Sequence, residues 1–135
     1  MISLSTLTRL LGLALLVSAL PLPSSLAADP AAQRYPDVLS AKVRVVAEDS
    51  FEFDVTISSP YDTPQRYADA FRVADRNGAV YGERVLLHDH ADEQPFTRDL
   101  GGVKIPKGVR TVVIQARDLR NGYGGKSIEV ALPRR

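Results

Sequence analysis

The chain has 135 residues, with no cysteine, no tryptophan and a formal net charge of +1 at neutral pH. A chain of this length can bury the hydrophobic core of one domain without disulfides or metals. The absence of cysteine excludes disulfides, thiolate-ligated metal sites and cysteine nucleophiles. The balanced charge and the lack of a polybasic run argue against nucleic acid or an anionic membrane surface as a partner.

Residues 1–27 have the layout of a cleavable signal peptide. Arg9 supplies a positive charge, and an apolar stretch follows from Leu10 to Leu20. Ser25 and Ala27 place small residues at the two positions that a signal peptidase recognises. Because the apolar stretch is shorter than the roughly 20 residues that span a bilayer, we expect cleavage after Ala27 and no membrane insertion afterwards. The lack of a cysteine after this stretch argues against a lipid anchor.

The predicted mature chain begins with a short lead-in and continues as one domain. Residues 28–38 are polar, rich in alanine and interrupted by Pro30 and Pro36, so we predict a flexible segment there. Residues 39–135 are predicted to form the domain. Arg9 is the one charged residue before the cleavage site, so the mature chain would carry 16 basic and 16 acidic residues.

Alternation of apolar and polar residues predicts a series of antiparallel strands. The clearest example runs from Phe51 to Ser58, with Phe53, Val55 and Ile57 on the same face as Phe51. The other predicted strands are Ala41–Glu48 with Val43 and Val45 inward, Tyr67–Ala74 with Phe71 and Val73 inward, Ala79–Leu87, Phe96–Leu100, a strand bearing Val112, Ile114 and Ala116, and a last one bearing Ile128, Val130 and Leu132.

Glycine-containing segments predict the turns between these strands. Asn77-Gly78 predicts a two-residue type I′ hairpin, in which both central residues have positive φ. Gly101-Gly102 predicts a break in the fifth strand. The segment Asn121–Gly125 predicts a wide turn, with Tyr123 lying over the end of the domain.

About seven short strands separated by turns predict an all-β, antiparallel sandwich of the immunoglobulin-like or fibronectin type III-like kind. The segment Ile105–Asp118 contains a Pro-Lys-Gly turn and a strand that ends in Ala-x-Asp, and a glycine loop and a closing strand follow. This pattern resembles the last two strands of bacterial Ig-like and fibronectin-like modules. The run from Tyr67 to Gly125 also resembles small secreted bacterial proteins of uncharacterised function. These resemblances imply an architecture and no particular activity.

His88 and His90 are the two histidines of the chain and lie in a polar loop, residues 88–95. If the backbone is extended there, side chains two residues apart lie on one side. The two imidazoles could then share a copper or zinc ion with Asp92 as a carboxylate ligand. A structural alternative explains the same residues, because aspartate side chains lock turns by accepting backbone N–H groups. In that account Phe96 anchors the loop in the core.

Other functional hypotheses depend on loops and aromatic side chains. His88, His90 and Tyr123 could gather at one end of the sandwich and bind a protein or a small ligand. A group of tyrosines could instead form a sugar-binding platform, namely Tyr35, Tyr61, Tyr67 and Tyr81. Hydrolase chemistry has little support, since no Gly-x-Ser-x-Gly motif is present and both histidines share one acidic loop.

The sequence therefore predicts a periplasmic or secreted β-sandwich that is a non-catalytic binding or accessory module. Its partner would be a protein or a small ligand, bound through loops or an exposed sheet edge. A periplasmic protein that binds a divalent metal through the histidine loop is the first alternative, and a weak hydrolase is the second. No obligatory cofactor is expected.

Overall fold

The computed structural model describes residues 32–135, so the predicted signal peptide lies outside the described residues. Within residues 32–135 the chain forms seven β-strands and no α-helix. No helix in that part of the chain is long and apolar enough to cross a membrane. The strands are β1 (Asp37–Ala47), β2 (Ser50–Ser58), β3 (Ala68–Ala74), β4 (Val80–Val85), β5 (Phe96–Lys104), β6 (Thr111–Asp118) and β7 (Gly122–Ala131).

The strands form two antiparallel sheets, one with the order β1-β2-β5 and the other with the order β4-β3-β6-β7. One hydrophobic core lies between the sheets, as expected when each sheet has one apolar face. The predicted all-β fold of about seven strands is confirmed. The largest apolar side chains that are fully buried in this core are Phe51, Phe53, Phe71, Phe96, Ile57, Ile105, Ile114, Val38, Val55, Val73 and Val112.

Strand β2 lies in the middle of the three-stranded sheet and follows the predicted alternation along its whole length. Phe51, Phe53, Val55 and Ile57 have no exposed surface, whereas the residues between them are partly exposed. Apolar faces such as this one provide most of the free energy of folding, at roughly 25 cal/mol per Å² of apolar surface removed from water.

Strand β1 begins at Asp37, inside the segment predicted as a lead-in, and Val38 is already fully buried. Val43 packs partly buried against the core, as predicted. Val45 pairs with Phe51 in register but is 37% exposed. Its side chain lines an open cleft at one end of the sandwich.

The β3–β4 hairpin forms where Asn77-Gly78 predicts it, but the predicted type I′ turn is wrong. Gly78 has a φ of 90°, and Asn77 does not have positive φ. The Gly78 N–H donates to the Asp75 carbonyl, and the Asp75 carboxylate accepts the N–H groups of Asn77 and Ala79. This arrangement is a type I turn followed by a left-handed glycine, the usual three-residue hairpin loop.

The predicted break of the fifth strand at Gly101-Gly102 is also wrong, because β5 continues through both glycines to Lys104. Phe51 pairs with Val103 and Phe53 pairs with Leu100, so two residues of β5 lie opposite one residue of β2. The glycines therefore form a β-bulge, in which Gly102 has a φ of 64°.

The segment Asn121–Gly125 is not the predicted wide turn. Strand β7 begins at Gly122, and Tyr123 pairs with Arg117 of β6. The connection between the two strands is short because the Asp118 carboxylate accepts the N–H groups of Arg120 and Asn121. Tyr123 therefore lies on the sheet and not over the end of the sandwich.

Candidate functional site

Three connections meet at one end of the sandwich: the β2–β3 loop, the β4–β5 loop that carries both histidines, and the β6–β7 turn. Asp62 of the first loop hydrogen-bonds to His90 of the second, and Arg66 of the first loop forms an ion pair with Asp118 beside the third. This end of the molecule contains the buried ionisable side chains Asp62, His90 and Asp118. It is called the histidine end below.

The two imidazoles lie next to each other, with ring centroids 4.9 Å apart. His88 is exposed, whereas His90 is 5% exposed and stacks on the Phe96 ring at 3.9 Å. Phe96 itself is buried in the core. The predicted anchoring of the loop by Phe96 is therefore confirmed.

Side chains from within and beside the loop fix its backbone. The Asp89 carboxylate accepts the N–H of Ala91 at 3.3 Å, which is the predicted aspartate-locked turn. The Gln94 side chain accepts the N–H of Ser59 at 2.7 Å and donates to the His90 carbonyl at 3.0 Å. This bridge from Gln94 ties the loop to the end of β2.

Asp62 is the central group of the histidine end, and the sequence did not identify it. Its carboxylate is fully buried and accepts the N–H of His90 at 3.0 Å and the N–H of Ala68 at 3.1 Å. Burial raises the pKa of this carboxyl, and the two backbone hydrogen bonds act in the opposite direction. The one sequence signal for this role is an aspartate inside a loop bounded by Pro60 and Pro64.

The surroundings of the His90 imidazole favour its neutral form. Its Nδ1 atom is buried, has no hydrogen-bond partner among residues 32–135 and lies 4.0 Å from the Asp62 carboxylate. Burial lowers the pKa of His90, and the charges of Arg98 and His88 lower it further. A buried neutral imidazole of this kind packs as an aromatic ring, and its stacking on Phe96 has that geometry.

The two neighbouring imidazoles agree with the metal hypothesis, but the described residues do not provide a complete set of metal ligands. In the part of the chain that the structure describes, no group of three His, Asp or Glu side chains is placed to hold an ion. Asp92 is exposed in the same loop. Binding of copper or zinc by His88, His90 and Asp92 therefore stays a prediction that requires the loop to rearrange or a ligand from elsewhere.

A second buried network lies beside Asp62. The Arg66 guanidinium donates to the Asp118 carboxylate at 3.2 Å and lies 4.0 Å above the Tyr61 ring. Tyr61 is 9% exposed, and burial beside Asp118 raises the pKa of its hydroxyl far above the ordinary value. Its ring therefore offers little surface to a sugar.

Tyr123 belongs to a different surface from the histidines. Its ring lies 3.8 Å from the Arg72 guanidinium, and its hydroxyl donates a hydrogen bond to Glu83. Among residues 32–135, no hydrogen bond or ring contact joins Tyr123 to either histidine. A joint recognition surface of His88, His90 and Tyr123 stays a prediction, without contacts between its two parts.

The chain is similar to a curated protein at moderate identity. A protein of Halomicrobium mukohataei named "Putative lipoprotein" is 33% identical over 97 residues. The alignment covers 72% of this chain and 47% of the relative, so the chain spans about half the length of that protein. No protein-family model matches the chain. No solved structure matches it either.

Proposed function

We propose that this protein is an exported, non-catalytic β-sandwich module that binds a partner protein along strand β4. The observation that carries the proposal is a row of exposed apolar side chains on this edge strand and just after it. Val80 is 49% exposed, Val85 is 51% exposed and Leu87 is 83% exposed. Isolated exposed apolar residues are common, but a row along a sheet edge favours an interaction site.

An edge strand offers backbone groups as well as side chains. Among residues 32–135, strand β4 pairs only with β3, so the N–H and C=O groups of its other side are available to an added strand. The edge strand β1 of the other sheet carries the exposed cations Lys42 and Arg44, which discourage strand addition there. The partner would therefore be an extended segment with apolar side chains at alternate positions.

The non-catalytic part of the proposal is supported by the contacts of the ionisable side chains at the histidine end, which already hold other parts of the fold. The Asp62 carboxylate holds two backbone N–H groups, and the Asp118 carboxylate holds Arg66 and the β6–β7 turn. The His90 ring is stacked and buried. Groups committed to holding loops together are poorly placed to transfer protons to a substrate.

Two further observations support the class and the location of the module. The strand orders β1-β2-β5 and β4-β3-β6-β7 support assignment to the Ig-like or fibronectin type III-like sandwiches. The predicted signal peptide and the printed name of the relative both support export to the cell envelope or beyond it.

The test compares two sets of substitutions on edge strands. The chain recovered after export is used to capture partners from an envelope extract, alongside the double variant Val85→Lys with Leu87→Lys and the matched control Val46→Lys. Val46 is 49% exposed on β1, so the control introduces the same type of substitution, with one added positive charge, on another edge.

We expect the wild type and the Val46→Lys control to retain one and the same protein, and the double variant to lose it. Far-UV circular dichroism would establish that all three proteins are folded. Equal capture by all three, or loss in the control as well, would contradict binding along β4.

A further inference from the structure

An open cleft of about 900 Å³ lies at the end of the sandwich opposite the histidines. The turn after β1, the turn before β6 and the segment after β7 border this cleft. Small-molecule sites have volumes of roughly 300–1,000 Å³. The cleft is therefore large enough for a ligand of that size.

One wall of the cleft is apolar and continuous with the core. Val45 pairs with the buried Phe51 yet stays 37% exposed, and it lines the cleft. Val109 and Leu132 line the same cleft and pack partly buried against the core. A ligand with an apolar chain would remove this surface from water.

The floor of the cleft contains a cation that already makes several hydrogen bonds within the fold. The Arg135 side chain donates to the Asp49 carboxylate at 3.0 Å and to the carbonyls of Ile105, Pro106 and Val109. The second carboxylate of the cleft, Glu48, pairs with Lys107 at 2.9 Å. Both acidic side chains that line the cleft therefore already have a cationic partner.

The remaining two cations of the cleft have no such partner. Arg110 and Arg134 are exposed, and neither forms an ion pair with any residue between 32 and 135. An arginine fork binds a carboxylate with two parallel hydrogen bonds. The cleft thus combines an apolar wall with an excess of positive charge.

We propose that this cleft binds an amphipathic anion, namely a fatty acid with one alkyl chain and a carboxylate head. The chain would lie against Val45, Val109 and Leu132, and the head would meet Arg110 and Arg134. This site is separate from strand β4, so it goes beyond the binding of a partner protein and does not depend on it.

The test is calorimetric titration of the chain, recovered after export, with dodecanoate below its micelle concentration. Dodecyltrimethylammonium has the same alkyl chain with the opposite charge, and acetate has the head without the chain. We expect saturable binding of dodecanoate alone. The paired variant Arg110→Gln with Arg134→Gln should weaken it about tenfold or more, because two charge-assisted hydrogen bonds are lost.

Lys126→Gln is the matched control, because this exposed lysine of β7 lies away from the cleft and also lacks an ion pair among residues 32–135. It should leave dodecanoate binding unchanged, and so should the double variant on β4. Val45→Phe should reduce binding by filling the cleft while its thermal transition stays cooperative.

Three results would overturn the fatty-acid site. The first is no saturable heat with dodecanoate. The second is equal binding of the cationic surfactant, or equal weakening by Lys126→Gln. The third is binding to vesicles of anionic phospholipid without binding to monomeric dodecanoate, which would assign the cations of the cleft to a membrane surface.

Discussion

Asp62 joins two loops that are 28 residues apart in the sequence, since its buried carboxylate accepts backbone N–H groups from His90 and from Ala68. A buried donor without an acceptor costs about 1–3 kcal/mol, so this one side chain avoids two such penalties. Gln94 makes the same kind of bridge from the other loop to Ser59. The position of His90 is therefore a consequence of these two polar side chains.

At this scale the clearest prediction concerns pH. Because burial and neighbouring positive charges lower the pKa of folded His90 below 6.5, the unfolded chain binds more protons there than the folded chain does. The full contribution of neutral His90 is present above about pH 6.5. We expect the free energy of unfolding to fall as the pH drops below that value, and His90→Gln to reduce this fall.

Chemical denaturation between about pH 5 and about pH 8 measures this slope. The control variant His88→Gln, which changes an exposed histidine, should keep most of this slope. The Asp62 carboxyl changes the free energy of unfolding in the opposite direction as the pH falls. Because burial raises its pKa above 3.8, the folded protein gains stability when this carboxyl takes up a proton at low pH. An identical slope in wild type and His90→Gln would show that the buried ring does not resist protonation.

Core residues and loop residues differ in how far the sequence predicts them. Phe51, Phe53 and Val55 follow from alternation, because a strand with one face on the core repeats every two residues. Asp62 does not follow from any local pattern, since its partners come from elsewhere in the chain. Tyr123 was misplaced because the neighbouring glycines resemble a loop in isolation.

Among the elements, β7 shows why glycines next to each other need not form a turn. The Tyr35 ring lies so close to Gly124 that a Cβ there would be 2.5 Å from its Cδ1 atom. At Gly125 a Cβ would collide with the carbonyl oxygen of Pro36, and the φ of 75° also favours glycine. These two glycines let the segment before β1 pack directly on the backbone of β7.

The corresponding prediction is that Gly124→Ala lowers the free energy of unfolding by about 1–3 kcal/mol, the usual cost of overpacking. Gly108→Ala is the control, because a Cβ there meets nothing within 4 Å. In a Tyr35→Ala background the cost of Gly124→Ala should shrink, which urea denaturation of the four-protein cycle would measure. An unchanged cost would mean that the ring moves aside freely.

The two glycines that form the bulge in β5 are also the reason why the sequence predicts a break there. Gly101 and Gly102 look like a break in the sequence because glycine has no side chain to pack and weakens a strand. Strand β2 compensates by pairing on both sides of them, through Phe51 with Val103 and Phe53 with Leu100. Local sequence contains no information about such a partner strand.

For the whole molecule, stability rests on one core shared by two sheets. Phe71 is fully buried on β3 and belongs to this core. Phe71→Ala should lower the free energy of unfolding by about 3–5 kcal/mol. This is a large part of the roughly 5–15 kcal/mol by which a domain is stable against unfolding. Urea unfolding should show a lower midpoint for this variant with one cooperative transition.

Val85→Ala is the contrasting substitution. Because Val85 is half exposed at the sheet edge, this variant should lose far less free energy of unfolding than Phe71→Ala. Similar losses for the two variants would argue against a single core between the sheets. The two-layer architecture itself was predictable, because seven alternating segments each need an apolar partner surface. The pairing of strands within each sheet was not, since it depends on contacts distant in sequence.

The β3–β4 hairpin tip also has a practical consequence. Asn77 is exposed with ordinary backbone geometry, and the adjacent Gly78 has nothing within 4 Å of where a Cβ would be. Because the natural chain contains no sulfhydryl group, Asn77→Cys would create a unique point for attaching a fluorophore. Such a dye would sit outside the row of exposed residues on β4 and outside the fatty-acid cleft, and it could report on either surface without occupying it.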